Sequence, residues 1–324
     1  MVEWSITTDC KSVGLWPPLV RIQPNAPKYM KYRVLLFYKY TTITDTSTLM
    51  ERERSVCEVL NLKGRIIIAE EGINGTVEGS FEDTEKYIAH LKSDKRFKNM
   101  NIKESDGIGN AFPRLSVRVR KEIVGTKFPD HIDPRKNTGK YLDPSEFNKW
   151  YREDKDFVVV DMRNDYELAS GVFDKTVDLG LKNSRDLPAA IEKLKIHKDK
   201  TLVTVCTGGV RCEKMSAYLL DQGFENVWQL HNGMHGYMEK FPGEDFKGTL
   251  YTFDGRVTMH FGDGEKAKRE IVGKCKKCGV ASETYYDIHE DGKRIGADSH
   301  VILCDDCAKV SDVVQHRSDV IKDN

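Results

Sequence analysis

The chain contains no run of apolar residues long enough to cross a bilayer; its longest apolar stretches, within 65–69 and 157–160, are strand-sized. It opens without a basic region followed by an apolar core, so no secretory leader is expected. Net charge is also missing. Lys and Arg number 51 and Asp and Glu 51, so no global basic field advertises nucleic acid, and any RNA contact must come from a local patch. There is no glycine fingerprint of a dinucleotide fold and no His/carboxylate facial triad. No flavin, haem or nucleotide cofactor is therefore expected.

Cysteine, by contrast, is plentiful. Two of the eight sit in one glycine-containing loop, and four form two CxxC pairs. That is intracellular thiol and metal usage rather than a disulfide framework, and it points to a cytoplasmic protein with no membrane partner. The length of 324 residues accommodates two or three domains.

Residues 1–29 hold Trp4, Trp16, Pro17, Pro18, Pro24 and Pro27 without helical or strand periodicity. They read as a non-native or disordered N-terminal extension. Asp9–Ser12 can be encoded by the anticodon arm of a tyrosine tRNA and Val20–Ile22 by a T-arm, which points to a tRNA gene upstream of a start at Met30.

Three parts follow. In 30–128, strands are expected at Tyr32–Tyr38, Gly64–Ala69, Thr76–Val77 and Leu115–Arg120, helices at Ser47–Leu60 and Phe81–Leu91, and a turn at Gly72–Gly75. The order βαββαβ predicts a ferredoxin-like, acylphosphatase-like α+β domain. A Pro/Gly/Asp-rich linker is read at 129–143. In 144–247, strands at Phe157–Asp161, Thr201–Val205 and Val227–Leu230 alternate with helices at Leu187–Leu194 and Glu213–Asp221. That alternation predicts an α/β domain with a parallel sheet, whose chemistry sits at the strand carboxyl ends. The Cys-rich region 248–324 ends in a polar tail expected to fray.

The loop Cys206, Thr207, Gly208, Gly209, Val210, Arg211 follows an apolar strand and leads into a helix near Cys212. Backbone N–H groups and the helix dipole converge there, lowering a thiol pKa, and Arg211 adds positive charge. Cys206 is the expected nucleophile; the bland alternative, a buried structural Cys, does not explain the two glycines and the Arg at these offsets. Cys206 and Arg211 enclose four residues. The related tyrosine and dual-specificity phosphatases enclose one more, so the tighter loop suits sulfur chemistry rather than phosphate. The loop, Asp161 with Arg163, and the segment from Gly223 to Gly233 resemble the rhodanese superfamily. Asp161, Arg163 and Arg185 are expected to line the site. Cys212, where Ser or Thr is usual, either resolves a persulfide or disulfide on Cys206 or packs at the helix start.

Three segments narrow the resemblance: Lys63–Thr76, Phe112–Val124 and Cys206–Lys214. From Met30 to about Cys307 the chain is similar to the oxygen-dependent tRNA uridine hydroxylase family of rhodanese-domain proteins. The resemblance implies hydroxylation at C5 of the wobble uridine of tRNA, with molecular oxygen as co-substrate, tRNA rather than DNA as partner, and the family's essential cysteine at Cys206. Two rivals stand beside it. One is a sulfurtransferase carrying a persulfide on Cys206. The other is a non-catalytic tRNA-binding scaffold, against which the intact loop argues. The oligomeric state is left open.

Arg114, Arg118, Arg120, Lys121 and Lys127 crowd one segment. On a strand Arg118 and Arg120 point the same way, either as a solvated face or as a phosphate-neutralising ribbon; the family resemblance favours tRNA. Cys275 with Cys278 and Cys304 with Cys307 form two knuckles separated by 25 residues. Four thiolates so placed are expected to hold a structural zinc, free thiols or redox pairs being the alternative. His289 and His300 lie between them and are not needed for four-coordination.

Overall fold

The computed structural model describes residues 31–262, 270–290, 293–294, 300–311 and 313–315; the N-terminal extension and most of the polar tail after Val310 lie outside the described residues. The first part runs β1 (Tyr32–Tyr40), α1 (Thr46–Val59), β2 (Lys63–Ala69), β3 (Gly72–Ser80), α2 (Phe81–Ser93), β4 (Ile102–Asp106) and β5 (Leu115–Val119). Its sheet has the order β4-β1-β3-β2-β5, in which the first four strands are antiparallel and β5 joins β2 in parallel. This is the ferredoxin-like arrangement that the element order predicts, with one strand added at the edge.

Two local expectations are corrected. Gly72–Gly75 is not a turn but the first half of β3, and the reversal falls at Glu70 and Glu71. Gly75 sits mid-strand because the Phe37 ring lies over it: a Cβ there would come within 2.4 Å of Phe37. The strand that closes the motif is β4, not Leu115–Arg120. Its sequence, Ile-Lys-Glu-Ser-Asp, has little apolar alternation because it is an edge strand.

Both helices cover one sheet face. Ser80 caps α2 through its Oγ, which accepts from the Asp83 N–H at 3.1 Å. Leu35, Phe37, Ile66, Ile68 and Val77 of the sheet bury against Leu49, Tyr87 and Leu91 of the helices. The alternate residues of β1 (Leu36, Tyr38 and Tyr40) point to the opposite face, toward the second part.

That second part contains β6 (Lys140–Leu142), α3 (Pro144–Arg152), β7 (Phe157–Asp161), α4 (Asp165–Leu168), β8 (Gly171–Phe173), β9 (Thr176–Val177), α5 (Leu187–Ala190), β10 (Thr201–Val205), α6 (Val210–Asp221), β11 (Val227–Leu230) and α7 (Gly233–Lys240). Five strands form a parallel sheet in the order β6-β11-β10-β7-β9. β7 is buried at every position, as a strand covered on both faces must be. One core packs Val158, Val160, Leu202 and Met215 on one face; the other packs Phe147, Val159, Val203, Val205 and Tyr237. The segment read as a linker contributes β6, and the helix expected over Leu187–Leu194 is α5 followed by a 3-10 segment, Ile191–His197.

The third part supplies β12 (Phe246–Gly248), which pairs with β8, then the ribbon of β13 (Leu250–Tyr251) and β14 (Thr258–Met259). Beyond them lie β15 (Tyr285–Glu290), β16 (Lys293–Arg294), β17 (His300–Ile302), α8 (Asp305–Lys309) and β18 (Val313–Gln315). Tyr285 Oη donates to the Tyr166 carbonyl at 2.6 Å, tying this region to the parallel-sheet domain. No helix among the described residues is long and apolar enough to cross a membrane.

Candidate active site

Cys206 directly follows β10, the central strand of the parallel sheet, and its side chain is fully buried. The chain then turns through Gly209, whose φ of 98° is in the left-handed region. The turn lets the Gly209 N–H donate to Cys206 Sγ at 3.2 Å. Gly233, at the start of α7, presses on the loop from the other side. A Cβ there would lie 2.6 Å from the Gly209 nitrogen and 2.7 Å from the Cys206 carbonyl oxygen. Backbone bonds from Met234 to Cys206 and from His235 to Thr207, 2.9 and 3.0 Å, fix α7 to the loop.

Burial alone would raise the Cys206 thiol. The Cys212 side chain, the Arg211 guanidinium and the backbone N–H groups of Cys212 and Arg211 outweigh it and bring the thiol down from 9.0 to about 6. Cys212 moves the opposite way, pushed well up by its own burial and by the neighbouring Cys206. One thiolate and one thiol thus share the loop.

Arg211 does not point at solvent. Its Nη1 and Nη2 donate to Glu167 Oε1 and Oε2 at 2.6 and 2.8 Å, and the Glu167 side chain is wholly buried. Glu167 belongs to α4, where it accepts from the Asn164 N–H at 2.9 Å in a capping box. Asp161 and Arg163 form a second buried pair, with Arg163 Nη2 2.7 Å from Asp161 Oδ2 and also donating to the Gly171 carbonyl. Arg163 reaches the Glu167 carbonyl at 3.3 Å, so this pair braces α4 rather than facing the loop. Arg185 is exposed on the 3-10 turn Ser184–Asp186, and its backbone N–H donates to Asn183.

The first part roofs the loop, a relationship the sequence did not signal. Leu36 packs on Gly208 and Tyr38 on Gly209; a Cβ at those glycines would come within 2.9 Å of each. Tyr40 Oη donates to the Val210 carbonyl at 3.3 Å. Tyr38 Oη and Tyr141 Oη both donate to Glu213 of α6, at 3.1 and 2.9 Å. Lys103 of β4 is 6% exposed and lies 5.4 Å from the Tyr38 ring centroid. Burial pulls its ammonium down to about 8 against the opposing pull of Cys206, Glu239 and Glu213. A cavity of about 310 Å³ opens beside the loop, lined by Tyr38, Tyr40, Lys103, Arg135, Tyr141 and His231 among others. None of these lining residues carries a motif. Lys103 in particular sits in a polar edge strand with no pattern to mark it.

Arg118 lies in β5 in the same cross-strand row as Tyr38, through Asn74 and Ile67. Three strand spacings separate them, about 14 Å. Arg114, Arg120 and Lys121 are exposed; Arg120 Nη1 donates to the Val119 carbonyl and Lys121 Nζ lies 3.3 Å from Asp130. Lys127 is also exposed, its backbone N–H donating to Glu122.

Away from this site, the ligand atoms of Cys275, Cys278, Cys304 and Cys307 all lie within 4.8 Å of one another. Cys278 Sγ and Cys304 Sγ are 3.6 Å apart, close to the edge of about 3.8 Å in a tetrahedron with 2.3 Å metal–sulfur bonds. The donor set and spacing fit a metal ion. His300 is engaged elsewhere, with Asp287 at 2.9 Å and Tyr251 at 3.0 Å; the His289 side chain lies outside the described residues.

Three families match in succession: the UPF0176 acylphosphatase like domain over residues 32–123, the rhodanese-like domain over 143–240, and the rhodanase C-terminal region over 247–316. A tRNA uridine(34) hydroxylase of Staphylococcus haemolyticus is 43% identical over 291 residues, covering 86% of this chain and 90% of its own length. The chain belongs to the tRNA uridine(34) hydroxylase family. A second member, from Staphylococcus carnosus, is 45% identical over 79% of this chain and 80% of its own. Among solved structures, a rhodanese-like domain protein from Staphylococcus aureus aligns with 30% of this chain and 90% of its own, at 27% identity and a TM-score of 0.26. Within the hydroxylase family framework, the N-terminal and rhodanese regions together build the loop, its roof and the adjoining cavity.

Proposed function

We propose that this chain hydroxylates C5 of the wobble uridine of tRNA in the cytoplasm, with molecular oxygen as co-substrate and Cys206 as the essential thiolate. The observation that carries the reading is a loop whose thiol is brought to about 6 and whose roof residue Tyr38 also walls a cavity of tyrosines and cations from two domains. Aromatic rings stack on an unpaired base, and Lys39 and Arg135 of the cavity wall meet the flanking phosphates. Arg118, with Arg114, Arg120 and Lys121 beside it, supplies further phosphate contacts. Cys212, held as a thiol, donates to the Cys206 thiolate rather than competing with it.

The persulfide-carrying sulfurtransferase is the second reading. It finds less support, because Arg211, the loop's cation, is already neutralised by Glu167 and so is not free to receive a small sulfur anion. The four clustered cysteines would hold a structural zinc, closing the C-terminal region around it.

Mass spectrometry of tRNA nucleosides tests the assignment, comparing a strain lacking this protein with strains complemented by wild type or by Cys206→Ser. We expect 5-hydroxyuridine derivatives to vanish in the deletion and to return only with wild type. Loss of thiolated nucleosides would instead establish the sulfurtransferase, and an unchanged profile would leave a binding protein.

A further inference from the structure

Lys103 is the one feature of the roof that folding does not explain. Its side chain is 6% exposed and lines the cavity. Yet among the described residues no oxygen accepts a hydrogen bond from its ammonium and no carboxylate pairs with it. Its ammonium lies over the Tyr38 ring, 5.4 Å from the centroid. Burying an ammonium without a partner costs several kcal/mol of solvation, so such a group is retained for something other than stability.

Its position is set by the sheet. Lys103 pairs across β4 and β1 with Leu36, the residue that packs on Gly208 of the loop. Tyr38, under its ammonium, packs on Gly209. The lysine is therefore delivered by the N-terminal domain to the mouth of the Cys206 loop, and the field of Cys206 acts on it.

We propose that Lys103 is a catalytic residue that contacts O4 of the target uracil and takes up the charge developed there when the Cys206 sulfur adds to C6. This deepens the hydroxylase reading and rests on it. The chemistry is balanced without an oxidant. A bond forms between Sγ and C6, the C5–C6 π pair moves through C4 to O4, and the Lys103 N–H donates to the resulting enolate oxygen. C5 thereby becomes electron-rich, the condition for its later reaction with the oxygen co-substrate. A fixed donor aimed at a developing oxyanion contributes most in the transition state and little in the ground state.

The experiment compares wild type, Lys103→Met and Lys103→Arg in single-turnover hydroxylation of a tRNA transcript, with tRNA affinity, melting temperature and the pH profile of Cys206 alkylation measured in parallel. The charged groups facing Lys103 are Cys206 from the loop, Glu213 from α6, and His235 and Glu239 from α7, with the Tyr38 phenol beneath it. We expect Lys103→Met to lower the turnover rate about 100-fold or more. Its tRNA affinity should stay within about twofold and its melting temperature should hold or rise, since an unpaired buried charge has been removed. The Cys206 alkylation midpoint should move up, and Lys103→Arg should restore part of the rate. Turnover within about twofold of wild type, or a parallel fall in rate, affinity and melting temperature, would overturn the proposal by making the lysine dispensable or merely structural. Wild type that forms no 5-hydroxyuridine under any condition would instead sink the hydroxylase reading, and the C6-addition role with it. The alkylation shift would then still report whether Lys103 acts on the sulfur.

Discussion

Lys214 Nζ lies 2.8 Å from Glu71 Oε2 and 3.0 Å from Glu122 Oε2, so one lysine of α6 joins two carboxylates of the N-terminal domain. Lys214 is 5% exposed, and its charge holds the Glu122 carboxyl down against burial. Glu71 also accepts from the Ile123 N–H at 2.8 Å, and Asn74 Nδ2 donates to the Ile123 carbonyl at 3.1 Å. The three sequence segments that carry the family resemblance thus converge on one buried ionic junction. Lys214→Ala strands two carboxylates facing each other. We expect a loss of about 3–5 kcal/mol in chemical unfolding, because breaking a buried pair leaves uncompensated charge. A change under about 1 kcal/mol would mean that water takes over the lysine's role at the junction.

The lowered Cys206 thiol predicts its reactivity. Alkylation by a small neutral reagent should rise with a midpoint near pH 6, where an ordinary thiol would rise near 9. Cys57, which burial pushes up to about 12, should stay unmodified throughout. Mass mapping of the labelled peptides separates the two. A Cys206 midpoint above about 8 would show that the loop's donors do not outweigh its burial.

Much of this arrangement is legible in the sequence. Cys206, the two glycines and Arg211 fall at offsets that only a tight strand–loop–helix turn requires, and Phe157–Asp161 and Thr201–Val205 are apolar enough to reveal a two-sided sheet. What was not readable is set by partners distant in sequence. Arg211 reads from the sequence as positive charge beside the sulfur, and nothing in the chain marks Glu167, 44 positions earlier, as its acceptor. Asp161 and Arg163 looked like site residues because their spacing matches a family motif, whereas they pair beneath α4. Lys103 could not be singled out at all: edge strands carry little hydrophobic pattern, and its burial comes from another domain.

His235 should make the protein sensitive to mild acid. Burial, with the nearby Lys103 and Arg256 charges, lowers its imidazole from 6.5 to about 4, and its Nδ1 has no hydrogen-bond partner among the described residues. The folded state keeps the ring neutral where the unfolded chain would protonate it. The contribution is therefore whole above about pH 6.5 and is lost as pH falls toward 4, roughly 3 kcal/mol in all. Urea unfolding of wild type and His235→Phe at pH 7 and pH 4.5 checks this: the substitution should shrink the acid-induced drop. Equal drops in both proteins would assign the acid sensitivity to another group.

The basic segment should matter for tRNA and not for the loop. Reversing Arg118 and Arg120 together to Glu should weaken tRNA binding at least about tenfold at moderate salt and flatten its salt dependence. Cys206 alkylation should be unchanged, since Arg118 stands three strand spacings, about 14 Å, from Tyr38 of the roof. Binding titrations at several salt concentrations provide the measurement. An unaltered salt slope would return the segment to a solvated strand face.

The four-cysteine cluster has the shape of a tetrahedral site, and its domain has little else to hold it. Among the described residues around the knuckles the fully buried apolar ones are few, chiefly Val301 and Leu303 with Cys275 itself. A region with so small a core would depend on an ion joining its two halves, and metal binding and local folding would then become one equilibrium. Purified protein should carry one zinc per chain by elemental analysis, and Cys278→Ser should lose it. Strong chelation should then expose the segment around Cys275–Cys307 to proteolysis while leaving the parallel-sheet domain intact. Metal-free protein with the same protease resistance would show that β15, β17 and β18 hold the region unaided, and that the thiols are free or form redox pairs.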